Sequence, residues 1–229
     1  MTLSERFNDV FDGSDRRGII AAIASISAVG IAIGLSFPLL SLLMEQRGIS
    51  ASVIGANTAI AGIAAMFIVP FSTPLARKVG VINVLLVCIL SSSIALMGFY
   101  LTENIIAWFV LRFIYSCAIT ALFILGEFWI NSAANEKKRG LILGIYGSVL
   151  SLGFALGPAI LSIVDINTIQ PFIAGSFLIG LAALPVMMAR QSSPKMGTEG
   201  KTPSILRYLF IVPLATTAGF AFGSAEQIQ

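Results

Sequence analysis

Long stretches without a charged side chain occupy most of this sequence. Five such runs have 24 to 29 residues each, and they cover residues 18–44, 48–76, 79–102, 140–164 and 166–189. About 20 helical residues, at a rise of about 1.5 Å per residue, are enough to cross the hydrocarbon core of a bilayer. The runs therefore predict membrane-spanning helices.

Two further runs complete this pattern. Residues 104–126 contain a single charge, Arg112, and residues 208–225 form an 18-residue run near the end of the sequence. Continuous apolar runs favour helices over the strands of a membrane barrel, which alternate over about ten residues. A helix also satisfies its own backbone hydrogen bonds in lipid. We predict an all-α membrane protein with six complete spans and a seventh that is only just long enough.

The composition excludes several classes of function. The sequence has no histidine, and only 11% of its residues are charged, which excludes His-based catalytic triads and the HExxH zinc helix. Cys88 and Cys117 lie inside apolar runs without metal-ligand spacing and predict buried thiols. The net charge of +3 is spread over short loops, which does not indicate nucleic-acid binding. We expect no enzyme, no metal site, no cofactor and no nucleic-acid partner.

The distribution of basic residues predicts the orientation in the membrane. With the N-terminus in the cytoplasm, twelve Lys and Arg residues lie on the inner side and only Arg47 lies outside. That split is a strong positive-inside bias. The residues before Gly18 mix acids with bases and do not resemble a signal peptide, so we expect the first span to be retained. The prediction is a multi-pass protein with a cytoplasmic N-terminus.

One polar stretch divides the sequence. Residues 192–201 interleave Pro, Gly and Ser with charges, which is typical of a flexible linker. The predicted organisation is a six-helix transmembrane bundle over 1–190, a cytoplasmic interdomain linker over 191–206 and a seventh helix over 207–229. If the six spans are two sets of three, Pro70 and Pro74 in the second span correspond to Pro158 in the fifth, as in inverted repeats.

The fifth span carries the most specific pattern. Gly153 and Gly157 share one helix face, where a neighbouring helix can approach closely, and Pro158 can bend the helix. Ordinary small-residue packing is the alternative interpretation. With Gly144, these residues resemble motif C of the major facilitator superfamily, the signature of its proton-coupled antiporters. The final glycine of that motif is replaced here by Leu161.

The boundary after the second span resembles a degenerate motif A loop of the same family. It reads LARKVG over residues 75–80, and Lys78 and Gly80 fit the motif. Arg77 stands where the family has an aspartate that belongs to a charged cytoplasmic latch. The resemblance implies that this latch works differently here or is absent.

Residues 111–113 (LRF) in the fourth span resemble the start of motif B, whose arginine lies inside the bundle near the proton-coupling site. An arginine within a membrane helix costs at least about 2.5 kcal/mol on insertion scales, so we expect Arg112 to face other helices. An arginine that snorkels to the outer interface is the alternative. Phe37, Tyr115 and Trp129 are candidates to line a solute cavity, with packing or interfacial anchoring as their other interpretation.

Glu127 lies fifteen residues after Arg112 in the sequence. That separation is about 22 Å along a straight helix, which excludes a direct ion pair between them. Glu127 can instead pair with Arg139 at the start of the fifth span. The resemblance implies a cytoplasmic charge network of Arg77, Lys78, Glu127 and Arg139. A structural clamp and a proton-carrying carboxyl both remain open for Glu127.

The resemblance implies the N-terminal half of a transporter: a six-helix bundle of 3+3 inverted repeats, followed by the first helix of the second half. It also implies proton-coupled export of a small solute by alternating access, and we expect the membrane to be a bacterial inner (plasma) membrane. The implied partners are the solute, protons, the lipid bilayer and a missing C-terminal half or partner bundle. Because each half of such a transporter has six helices, we expect a truncated chain that is inactive alone.

Two other classes of membrane protein remain as alternatives. One is a seven-span accessory or receptor-like protein without transport activity. The other is an intramembrane protease, which is disfavoured because the sequence has neither histidine nor a pair of intramembrane carboxylates to activate water.

Overall fold

The structure, a computed structural model, describes residues 14–194. Six segments there are long and apolar enough to cross a membrane, and each coincides with one of the first six predicted spans. The helices are α1 (Arg16–Gln46), α2 (Ala51–Val79), α3 (Val81–Leu101), α4 (Ile105–Ala133), α5 (Arg139–Ile163), α6 (Gln170–Leu181) and α7 (Ala183–Met188). The predicted seventh span and most of the predicted linker lie outside the described residues.

Polar side chains and glycine define several helix ends. The carboxylate of Asp15 accepts a hydrogen bond from the Gly18 N–H at 3.2 Å and caps α1. The side chain of Asn104 accepts one from the Ile106 N–H at 2.9 Å and caps α4. Gly80 joins α2 to α3 with a φ of 90°, a conformation that a residue with a Cβ rarely adopts. The glycine predicted in the motif A-like loop is therefore required by the backbone.

The sixth span is interrupted, and the interruption was not predicted. Helix α6 ends at Leu181, and α7 resumes after Ala182. Pro185 follows in α7, and since proline has no N–H it cannot bond to the Leu181 carbonyl four residues earlier. Prolines also occur inside the long helices α1, α2 and α5, which continue through them; these are Pro38, Pro70, Pro74 and Pro158.

Helix α1 occupies the centre of the bundle. Eighteen of its 31 residues are buried, and it packs mainly on α5 and α4. Helix α2 lies at the edge, with buried residues only at Asn57, Ala64, Ser72 and Ala76. The largest buried side chains include Trp108 and Trp129 of α4. Trp129 thus packs in the core, which was its alternative interpretation, and its role in lining a solute cavity stays a prediction.

The helix contacts follow a repeated arrangement. Helix α1 packs most extensively on α5, and α2 packs most extensively on α4. If α1, α2 and α3 are superimposed on α4, α5 and α6 in that order, the α1–α5 contact falls on the α4–α2 contact. The two contacts therefore exchange with one another. That exchange is what two related three-helix units would give. No strand occurs among residues 14–194, and the predicted all-α membrane bundle is confirmed.

Both cysteines carry free thiols. Cys88 of α3 is buried, as predicted, whereas Cys117 of α4 is partly exposed. The Cys117 thiol lies 3.6 Å from the main-chain carbonyl oxygen of Ala64 and donates to it, which links α4 to α2.

Candidate functional site

A buried arginine faces the interior of the bundle. Arg112 lies about two turns after the start of α4, and only 2% of its surface is exposed. Its guanidinium lies over the ring of Phe37 in α1, with 4.3 Å from Cζ to the ring centroid. The Nε and Nη1 atoms have no hydrogen-bond partner in the described part of the chain. Arg112 therefore faces other helices, as its cost in lipid led us to expect, rather than snorkelling to the interface.

The energetics leave Arg112 incompletely compensated. A desolvated cation–π contact such as the one with Phe37 is worth about 2 kcal/mol. An arginine deep in a membrane helix costs at least about 2.5 to 3.5 kcal/mol. The guanidinium remains charged and has only hydrogen-bond donors. Its unpaired nitrogens therefore favour an anionic group or a water molecule as a ligand.

Two polar side chains accompany the contact between Arg112 and Phe37. Tyr115 lies about one turn after Arg112 on α4, and Ser36 directly precedes Phe37 on α1. The Tyr115 hydroxyl donates a hydrogen bond to the Ala32 carbonyl oxygen at 2.8 Å, which ties α4 to α1. Ser36, adjacent to Phe37, is fully buried. The hydroxyl of Tyr115 is thus engaged in packing, and a role in lining a solute cavity stays a prediction.

The glycines of the fifth span lie where two backbones meet. A Cβ atom on Gly153 would lie 2.8 Å from the Cα of Gly30, and one on Gly157 would overlap the carbonyl carbon of Gly34. Two pairs of glycines, each with a spacing of four, therefore face one another across α1 and α5. The close approach predicted from Gly153 and Gly157 is present, and its partner is α1.

The other two residues of the motif C-like pattern lie outside this contact. A Cβ on Gly144 would have no neighbour within 4 Å, and Pro158 is exposed on α5. The sequence analysis did not identify Gly30 and Gly34 as the partners. Their spacing of four residues in the first span was the signal that could have indicated them.

Within residues 14–194, no ion pair joins the members of the predicted cytoplasmic charge network. Arg77 and Lys78 are exposed in the last turn of α2, where basic residues complement the helix dipole. Glu127 is exposed on α4, and the Nε of half-buried Arg139 has no hydrogen-bond partner among the described residues. Among residues 14–194, Glu127 and Arg139 form no ion pair with each other, and α5 packs mainly on α1.

Comparison with known proteins identifies the family. A sequence model described as the Major Facilitator Superfamily matches residues 20–228. The chain belongs to this superfamily. The match confirms the family that the motif-like segments resemble, and it includes α1 from residue 20 and all of α2 to α7. Together with the six apolar helices, it identifies a multi-pass integral membrane protein.

A superfamily relative provides a second comparison. The chain is 28% identical over 177 residues to a Bacillus subtilis (strain 168) protein described as the uncharacterized MFS-type transporter YfkF. The aligned region covers 77% of this chain and 45% of that protein. The chain therefore spans about half the length of this curated relative.

Proposed function

We propose that this superfamily chain forms one side of a proton-coupled pathway that exports a small solute, with Arg112 as the coupling residue. The observation that carries the proposal is the burial of Arg112 against Phe37 with two nitrogens left unpaired. The name of the Bacillus subtilis relative supports transport in general. The resemblance of the fifth span to the antiporter signature supports export.

The proposed coupling follows from the charge of the guanidinium. An ionised carboxylate or an anionic solute group near Arg112 is stabilised by opposite charge, which favours its deprotonated form. Proton binding to that group removes the attraction and releases the partner. Binding and release then favour different conformations of the bundle, which is the requirement for coupling two ligands.

The pathway in this proposal lies between two helical bundles. Transporters with repeated bundles bind their solute near the midplane, between the repeats, and alternate access by rocking one bundle against the other. The glycine contact between α1 and α5 would let those two helices move as one unit, since main-chain packing leaves little room for sliding. The linker and seventh helix proposed over 191–229 would lead towards the second bundle.

The orientation in this proposal has the N-terminus in the cytoplasm of a bacterial cell. The positive-inside bias supports it. Arg112 then lies nearer the outer side of the membrane, and Arg77, Lys78, Glu127 and Arg139 lie nearer the inner side. Rearrangement of the inner charges into ion pairs, absent here, would accompany closure of the cytoplasmic side.

Solute-driven proton flux tests the coupling role. Inverted membrane vesicles would contain this chain together with a second bundle taken from the Bacillus subtilis relative, and a fluorescent dye would report internal pH. We expect a solute from a panel of amphipathic cations and anions to release protons in the parent and in Arg77→Gln, but at least tenfold more slowly in Arg112→Gln. Equal flux in Arg112→Gln and the parent would exclude coupling by Arg112. No flux with any solute would favour the receptor-like alternative.

A further inference from the structure

A cavity lies at the end of the bundle opposite the N-terminus of α1. It has a volume of about 630 Å³ and is lined by the last turns of α1 and α3 and by the α3–α4 and α5–α6 connections. Ligand pockets in proteins have volumes of about 300 to 1,000 Å³, so this cavity is large enough for a small molecule or a lipid headgroup. Arg112 does not line it, and the proposed transport role does not use it.

Two opposite charges line this cavity without neutralising each other. Arg47 follows α1 and Glu103 precedes α4, and both are exposed. Within residues 14–194, neither side chain forms an ion pair or a hydrogen bond with another side chain. The cavity therefore offers a cationic and an anionic group to one ligand.

The cation is held in position by an aromatic ring. The guanidinium of Arg47 lies 4.7 Å from the centroid of the Trp108 ring. The indole N–H of Trp108 donates a hydrogen bond to the Thr102 carbonyl oxygen at 2.8 Å, which fixes the ring. The cation–π contact orients the arginine while leaving its N–H donors available. Arg47 is also the one basic residue that the positive-inside pattern assigns to the outer side, so topology alone does not account for it.

The remainder of the cavity is apolar and continues towards lipid. Its buried wall consists of Leu43, Phe99 and Phe172. Tyr100 packs 5.5 Å from Phe172, ring centroid to ring centroid, and is half exposed. Leu101, also part of the lining, is 75% exposed on a membrane-spanning helix. An acyl chain could therefore run from the cavity along the outer surface of α3.

We propose that this cavity binds a zwitterionic phospholipid that carries a primary ammonium group. Arg47 would hold the phosphate, Glu103 would accept hydrogen bonds from the ammonium, and the wall of Phe99 and Phe172 would contact the glycerol and the upper acyl chain. A cationic and an anionic group in one cavity favour a ligand that carries both charges over one that carries a single negative charge. The lipid-exposed apolar lining favours a lipid over a free zwitterion, whose apolar part would be too short to reach Leu101.

Lipid selectivity of the purified full chain tests this proposal. After delipidation in detergent, binding would be measured by native mass spectrometry with dioleoyl phosphatidylethanolamine and dioleoyl phosphatidylglycerol, and with soluble glycerophosphoethanolamine. We expect the parent to bind the ethanolamine lipid at least about threefold more tightly than the glycerol lipid, the range of a single solvent-accessible ion pair. Glycerophosphoethanolamine should bind at least tenfold more weakly than the lipid.

Two variants separate the roles of the charges. Arg47→Gln should weaken both lipids, because each carries a phosphate. Glu103→Gln should remove the preference for the ethanolamine lipid and leave binding of the glycerol lipid unchanged or stronger. Glu45→Gln is the matched control, since Glu45 is exposed at the same end of α1 but does not line the cavity.

Three results would overturn the proposal. The first is equal affinity of the parent for the two lipids, which needs no variant and so does not depend on how a variant folds. The second is retention of the preference in Glu103→Gln, which would place the ammonium elsewhere. The third is tight binding of glycerophosphoethanolamine, which would indicate a site for a soluble zwitterion.

Discussion

Gly34 of α1 and Gly157 of α5 are in direct main-chain contact. A Cβ on Gly157 would overlap the carbonyl carbon of Gly34, and a Cβ on Gly34 would lie 2.8 Å from the Cα of Phe154. One turn away, Gly30 and Gly153 repeat the arrangement. Two helices can approach this closely only where neither has a side chain, and in lipid such packing replaces the hydrophobic effect as a source of helix association.

Substitution at this contact should destabilise the bundle. Gly157→Ala places a methyl group against a backbone that cannot move aside, so we expect a loss of about 1 to 3 kcal/mol in the free energy of unfolding. Unfolding of the purified protein in mixed detergent micelles, titrated with SDS, measures it. Gly144→Ala is the matched control on the same helix, because a Cβ there meets nothing within 4 Å. It should be neutral or stabilising by up to about 1 kcal/mol, as alanine favours helix. Equal effects of the two substitutions would contradict the contact.

Removal of the Arg112 charge should stabilise the fold. Arg112→Met keeps a long side chain against Phe37 and removes a cation whose burial costs about 2.5 to 3.5 kcal/mol against about 2 kcal/mol of cation–π attraction. We expect the free energy of unfolding to rise by about 0.5 to 1 kcal/mol, together with loss of coupling. If Arg112 served only in packing, its replacement would lower the free energy of unfolding. A clear destabilisation in Arg112→Met would therefore contradict a functional role.

Loss of the hydrogen bond from Tyr115 to Ala32 should lower the free energy of unfolding by a smaller amount. Tyr115→Phe keeps the ring and its edge-on contact with Phe99 but removes the donor to the carbonyl oxygen. Hydrogen bonds between membrane helices contribute about 0.6 kcal/mol on average, so we expect a destabilisation of roughly that size. In Tyr100→Phe the hydroxyl that is lost has no hydrogen-bond partner among residues 14–194, and that variant should match the parent in the same SDS titration.

The orientation can be tested with reporter fusions. With the N-terminus inside, alkaline phosphatase fused after Gly48 or Asp165 should be active, and the same enzyme fused after Gly80 or Lys137 should be inactive. A green fluorescent protein reporter should give the complementary pattern at the same positions. The reverse pattern would place the basic loops outside and would refute the proposed topology.

The positions of the helices were predictable from the sequence because lipid selects for unbroken apolar runs of a minimum length. The identity of the central helix was not, since all the spans are similarly apolar. Helix α1 is mostly buried and α2 mostly exposed, and a side chain that faces lipid is as apolar as one that faces another helix. Hydrophobicity in a membrane protein therefore indicates the span but not the buried face.

Features of the site that follow from a large energetic cost, such as a charge in lipid, were predictable from the sequence. The residues that contact one another across helices were not. The burial of Arg112 followed from the cost of a charge in lipid, and the close approach at Gly153 followed from small-residue spacing. The partners of these residues, Phe37 and Gly30, depend on which helices are adjacent. The same uncertainty applies to the Glu127–Arg139 pair, which was suggested from helix ends that are close in sequence.

The central proposal is that this bundle forms one side of a proton-coupled pathway together with a second bundle. The most direct measurement is proton-gradient-driven solute flux in proteoliposomes that contain either this chain alone or this chain with a second bundle. The account predicts no saturable flux from the chain alone, and a saturable flux that depends on Arg112 when the second bundle is present. Saturable, proton-gradient-driven flux by the chain alone would contradict it.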